Sequence, residues 1–188
     1  MPTSTPPVHA RSALARLQQV IALALIAAAG AWWAWWWPAS AGRAVGGAVL
    51  MLAFYAIVLA LEFAVMQRVN RRDPAPRLGL AACARAWWRE VRVAPQVFSW
   101  RQPFRWRSLP DEQVVAAPGK TGAVLVHGFV CNRGLWLPWM RELRRRGLPW
   151  TSVNLEPVFG SIDDYVPWIE DAVRRAEALT GQQPLLVC

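Results

Sequence analysis

Charge is missing from two long stretches of this chain, and that absence bounds what the rest can be. Leu17 to Gly42 and Ala44 to Leu61 contain no Asp, Glu, Lys or Arg, and each is long enough to cross a hydrocarbon layer about 30 Å thick. Of 188 residues, only residues 110–188 then remain as recognisable globular sequence. Cysteine is sparse too. Cys83, Cys131 and Cys188 form no C-x-x-C or other metal-ligand spacing, so no metal and no cofactor is expected. An odd count cannot pair fully within one chain, and reduced thiols in a cytoplasmic domain are the simple expectation. Acidic residues are outnumbered 12 to 21 by basic ones, for a net charge of +9. Such an excess suits nucleic acid or an anionic membrane surface. The basic residues crowd beside apolar spans and alternate with tryptophan, and no RNA- or DNA-binding motif accompanies them. The expected partner is therefore the lipid bilayer, with no nucleic acid. Lysine is almost absent, since 20 of the basic residues are Arg, and no mechanistic meaning attaches to that bias.

What is present divides into four parts. Residues 1–16, rich in Pro, Ser and Thr, read as a disordered N-terminus. Residues 17–66 read as a transmembrane helical hairpin. Its first span, Leu17 to Trp37, ends in AWWAWWW, and indole rings favour the headgroup level. Pro38 and Gly42 supply the turn, and Gly46 and Gly47 offer close helix approach. Glu62 reads as a snorkelling interfacial residue rather than a buried functional carboxylate. Arg11 and Arg16 precede the first span, Arg43 alone sits in the turn, and Arg68, Arg71, Arg72 and Arg77 follow the second. The positive-inside rule then predicts a two-pass inner-membrane protein with both termini cytoplasmic. Ala39-Ser40-Ala41 also has the small-residue pattern of a processing site, the competing reading of the first span as a cleaved signal peptide; the second span would still anchor the chain. Residues 67–109 form a basic Arg/Trp connector. Within it Leu78 to Val93 is an amphipathic stretch, placed either at the lipid surface or with its Trp side on the following domain.

Residues 110–188 alternate in period. Gln113 to Ala117 is a short β-like run and Ala123 to Val126 a strand with both faces apolar. Leu135 to Arg146 reads as a helix closed by Gly147, and Trp150 to Leu155 as a second strand. Ser161 and Asp164 form a capping pattern opening a helix that ends before Gly181. Leu185 to Cys188 is a third strand. Strand, helix, strand, helix, strand argues for α/β architecture with a parallel sheet.

The run AVLVHGFVCNRG, Ala123 to Gly134, resembles the strand exit of the α/β-hydrolase fold at which backbone N–H groups help form an oxyanion hole. The order of elements around it is similar to the front of membrane-anchored bacterial lipases and esterases. The resemblance implies an oxyanion-hole loop of His127, Gly128 and Phe129, with the Phe129 N–H as a donor and His127 and Gly128 shaping the turn. Gly128 suits close backbone approach and positive φ. It also implies an acyl-ester or lipid substrate for a complete relative.

The departures are as informative. No G-x-S-x-G or H-x-S-x-G occurs anywhere; the family's elbow would begin just after Cys188, with the acid and histidine of the triad beyond it. The sequence expectation is therefore an incomplete α/β-hydrolase sheet, a serine hydrolase fragment whose catalytic residues are not present, inactive alone. The alternative is a non-enzymatic inner-membrane scaffold or interaction protein. Asp163 and Asp164 read as helix-start charges, not a catalytic pair. Cys131 lacks a partner base beyond His127, four residues away on the same loop.

Overall fold

The computed structural model describes residues 12–74, 78–111 and 114–188. Most of the expected disordered N-terminus, with Arg11, as well as Arg77 and Gln113, lies outside the described residues. Among the described residues the helices are α1 (Ala13–Trp36), α2 (Ala41–Val69), α3 (Leu80–Gln96), α4 (Leu137–Arg145) and α5 (Ile162–Thr180). The strands are β1 (Ala123–Leu125), β2 (Trp150–Ser152) and β3 (Leu185–Val187). The chain forms two compact units: residues 12–19 with Val97–Cys188, and Val20–Gln96.

α1, which enters the unit Val20–Gln96 after its first turns, and α2 are long and apolar enough to cross a membrane. Val20, Ile26, Leu50 and Leu61 all stand exposed, as in helices apolar on every side. The turn between them is tightly specified. Ser40 caps α2 by accepting from the Arg43 N–H, and Trp32 Nε1 donates to the Arg43 carbonyl at 3.0 Å. A Cβ on Gly47 would come within 1.9 Å of Trp32 Nε1, so only glycine admits the indole there. Gly46 meets nothing within 4 Å, and the neighbour of Gly47 is an indole side chain rather than a facing helix backbone, so the expected close approach of α1 and α2 through these glycines is not shown. α3 runs beside the C-terminal half of α2: Trp87 Nε1 donates to the Ala56 carbonyl at 2.9 Å, and Tyr55 Oη donates to the Val91 carbonyl at 2.7 Å. Trp87 is thus tied to α2 within this unit, a contact that neither of the two sequence expectations for this stretch named. α3 buries no residue fully, and Leu80 and Trp88 stay exposed.

The other unit begins earlier in the chain than expected. Ser12, Leu14, Ala15 and Gln18 are buried. Ala13 N–H donates to Glu156 Oε1 at 3.0 Å, and Gln19 Nε2 donates to the Pro103 carbonyl at 2.6 Å. Residues 13–16 are therefore helical and packed, not disordered, because the first turns of α1 bury small and apolar side chains in this unit. The π-helical segment Val97–Arg105 follows Pro95, whose missing N–H already interrupts the regular ladder. Gln102, Pro103 and Trp106 are buried, so the boundary falls inside the expected connector.

The sheet is parallel, in the order β2-β1-β3. Val124 pairs with Thr151 on one side and Leu186 on the other. β1 is covered on both faces. Val124 and Val126 pack with Val153, Ala172 and Ala176 on the α5 side, and Leu125 packs with Leu137, Met140 and Trp150 on the α4 side. Residues 114–117 form no strand; Ala117 N–H donates instead to the Leu179 carbonyl at the end of α5. α4 is preceded by a 3-10 turn, Arg133–Trp136, and ends in a Schellman arrangement, with Gly147 at φ 62 and the Leu148 N–H on the Leu143 carbonyl. α5 opens with the Ser161–Asp164 capping box and ends at Gly181 in the left-handed region.

Candidate functional site

In a parallel sheet of order β2-β1-β3 the chain leaves β1 to one side and later returns to the other. The carboxyl ends of β1 and β3 therefore border a topological switch point, the crevice where such sheets bind ligands. The loop that leaves β1 there is His127-Gly128-Phe129.

His127 fixes this loop. Its ring is 5% exposed, with Nε2 3.0 Å from the Leu155 N–H and Nδ1 3.0 Å from the Gly128 carbonyl. An acceptor at Nε2 and a donor at Nδ1 require the neutral imidazole with its proton on Nδ1. Burial holds the imidazole below its ordinary value, partly offset by the Gly128 carbonyl. His127 thus ties the β1 exit to the β2 exit.

The chain then turns sharply. Cys131 N–H closes a turn onto the Gly128 carbonyl at 3.3 Å, and Val130 sits at φ 55. Gly128 is not among the residues with positive φ, and a Cβ there would meet nothing within 4 Å. The expectation for Gly128 is corrected: the strained position is Val130, a β-branched residue where such a φ is a true outlier. Among the described residues the Phe129 N–H has no protein acceptor. The Phe129 side chain is 75% exposed and meets Phe159 edge-on, centroids 5.6 Å apart.

Beneath this loop lies a cavity of about 380 Å³, walled by Val126, Leu155, Val158, Val166 and Ile169 with Tyr165 at its side. The Tyr165 hydroxyl accepts from the Gly160 N–H and donates to the Pro157 carbonyl, which organises the β2 exit. Burial pushes the Cys131 thiol up, against a smaller opposing effect of the Gln102 amide. A thiol shifted in that direction is a poorer nucleophile at neutral pH.

A buried polar cluster stands behind the loop. Arg133 is 1% exposed. It donates to Ser152 Oγ at 2.8 Å, to the Trp106 and Leu109 carbonyls, and to Asp111 Oδ1 at 2.6 Å. Asp111 also accepts from the Ser152 N–H and Oγ and from Arg175. The sequence reading missed this cluster; an Arg between Asn132 and Gly134 is the sole local sign of it. Its Ser-Asp contact is structural, since among the described residues no serine hydroxyl bonds to His127. Ser12, Ser40 and Ser161 cap helices. Asp163 and Asp164 lie in the first turn of α5, with Asp164 accepting from Ser161 N–H. Among the described residues no group of three His, Cys, Asp or Glu side chains converges to hold a metal.

No family model matches the chain, and neither a curated protein nor a solved structure matches it.

Proposed function

We propose that this chain carries the oxyanion-hole portion of a membrane-bound serine hydrolase acting on acyl esters or lipids. The observation that supports the reading most is the turn at His127-Gly128-Phe129, set at the switch point beside an apolar cavity, with the Phe129 N–H lacking an acceptor among the described residues. In this reading the N–H receives the oxyanion of a tetrahedral intermediate, and the cavity takes apolar substrate. Val130 strain and the His127 bonds to Leu155 and Gly128 hold the donor in place before charge develops. His127 acts by position and not as a triad base, because both its ring nitrogens are already engaged. The 188 residues contain no nucleophile elbow, so the reading assigns them stabilisation and binding, and assigns the nucleophile to none of them.

The reading places the protein in a bacterial inner membrane with two passes and cytoplasmic ends. Two long apolar helices support it, as does the bias of Arg toward the ends over the turn. Residues 12–19 and Val97–Cys188 also belong to one unit, which an even number of crossings between them would permit.

The test is hydrolysis of a p-nitrophenyl acyl ester by the protein made at its native locus, with Phe129→Pro as the variant that removes the N–H. Loss of one such donor lowers kcat by about 10²–10³. Phe129→Ala, which keeps the N–H, retains most of the activity. Native protein with no esterase activity, or equal loss in both variants, contradicts the proposal and favours the non-enzymatic scaffold.

A further inference from the structure

At the opposite, amino end of the strands lies a second cavity of about 330 Å³. Its floor is apolar: Leu109, Val114 and Trp150 belong to or pack against the α4-side core, and Leu148 completes the wall. Its rim is cationic. Lys120, the one lysine of the chain, donates to the Gly147 carbonyl at 3.0 Å, which uses one of its three N–H donors. Arg144, in the last turn of α4, also lines the cavity. Its neighbours Arg145 and Arg146 are each engaged by Glu142 at 2.6 Å, and these contacts hold the Glu142 carboxyl at about 2. Among the described residues Arg144 has no ion-pair partner and no carboxylate lines the cavity. The Arg144, Leu143 and Gly147 carbonyls are satisfied by Gly147 N–H, Leu148 N–H and Lys120, which weakens the negative end of α4 toward the cavity.

An apolar pocket with two cations at its mouth matches an anionic amphiphile. The volume lies at the lower end of the roughly 300–1,000 Å³ of small-molecule sites, which favours one hydrocarbon chain over two. A guanidinium fork matches the two oxygens of a carboxylate. We infer that this cavity binds the anion of a single-chain fatty acid, its tail on Leu148 and Trp150 and its carboxylate between Lys120 and Arg144. No residue of the His127–Phe129 loop lines it, so the site stands independently of the acyl-transfer reading.

The probe is a diazirine-bearing dodecanoate, photolysed with the full chain in phosphatidylcholine nanodiscs and mapped by peptide mass spectrometry. The expected result is labelling centred on Leu109, Pro110, residues 114–120 and residues 144–150, displaced by excess dodecanoate and not by dodecanol. The double variant K120A/R144A should weaken that labelling about a hundredfold, the scale of losing two charge-assisted hydrogen bonds. Val114→Trp, which fills the cavity and keeps both cations, should abolish it, with circular dichroism confirming that each variant is folded. Labelling confined to α1 and α2, equal displacement by dodecanol, or displacement by a phosphate-headed lipid and not by dodecanoate each overturns the inference.

Discussion

The two units solve opposite solvation problems. Val20–Gln96 exposes Val, Ile, Leu and Trp side chains along α1 and α2 and buries little beyond Ala29 and Ala44. Its specific contacts include indole and phenol groups bonded to backbone carbonyls. The unit containing the sheet instead buries Arg133, Asp111, Asn132 and Ser152. Apolar exposure is stable where the surroundings are hydrocarbon, and buried charge is stable where every donor and acceptor is matched. Local order therefore has different causes in the two regions, and substitutions separate them.

The largest expected effect is at Arg133. Arg133→Leu leaves Asp111 buried with a partner lost and should destabilise the sheet unit by about 3–5 kcal/mol, read as a lower urea midpoint for that unit. The helical signal of Val20–Gln96 should persist in detergent; joint collapse of both would break the comparison. Gly47→Ala acts on the other side. Its Cβ collides with Trp32 Nε1, and the overpacking should cost about 1–3 kcal/mol. The readout is faster exchange of the Trp32 indole proton, with the sheet unit unchanged.

A smaller effect is predicted at His127. Its folded-state pKa is below the ordinary 6.5, so the unfolded chain binds more protons near that pH. The contribution of the neutral ring is present above about 6.5 and lost as pH falls through the lower folded value. Protonation also removes the Nε2 acceptor from the Leu155 N–H. Urea midpoints of the sheet unit should fall between pH 7.5 and 5.5, and His127→Asn should flatten that slope. The smallest effect belongs to Val130→Gly. It relieves φ 55, with a gain of about 1 kcal/mol or less once the entropy of glycine is counted. If acyl transfer drops as stability rises, the strain serves the site.

Much of this architecture is legible in local sequence. Uninterrupted apolar runs mark α1 and α2, and Ser161 with Asp164 sets the start of α5. The two-sided apolar character of Val124 and Leu125 marks β1 as a central strand. These signals are local periods and caps, which a sequence carries openly. The rest depends on partners far apart in the chain. Asp111 meets Arg175, Gln19 meets Pro103, and Trp87 meets Ala56, none with a periodic signature. At the candidate site the position of His127-Gly128-Phe129 is legible, since a buried strand stops there. The placing of strain at Val130 and not Gly128 is not legible, because it follows from where Cys131 closes the turn.

β3 marks the contrast within the sheet. Leu185 and Leu186 are 65% and 57% exposed, whereas Val124 and Leu125 are fully covered. The central claim, that the β1 exit serves an acyl-transfer site, is tested most directly by fluorophosphonate labelling of the protein isolated from its native locus in membranes. The account predicts covalent labelling at a serine that is none of these 188 residues, weakening about a hundredfold or more in rate when Phe129→Pro removes the N–H. Absence of any labelling, or labelling indifferent to Phe129→Pro in a folded protein, would contradict it.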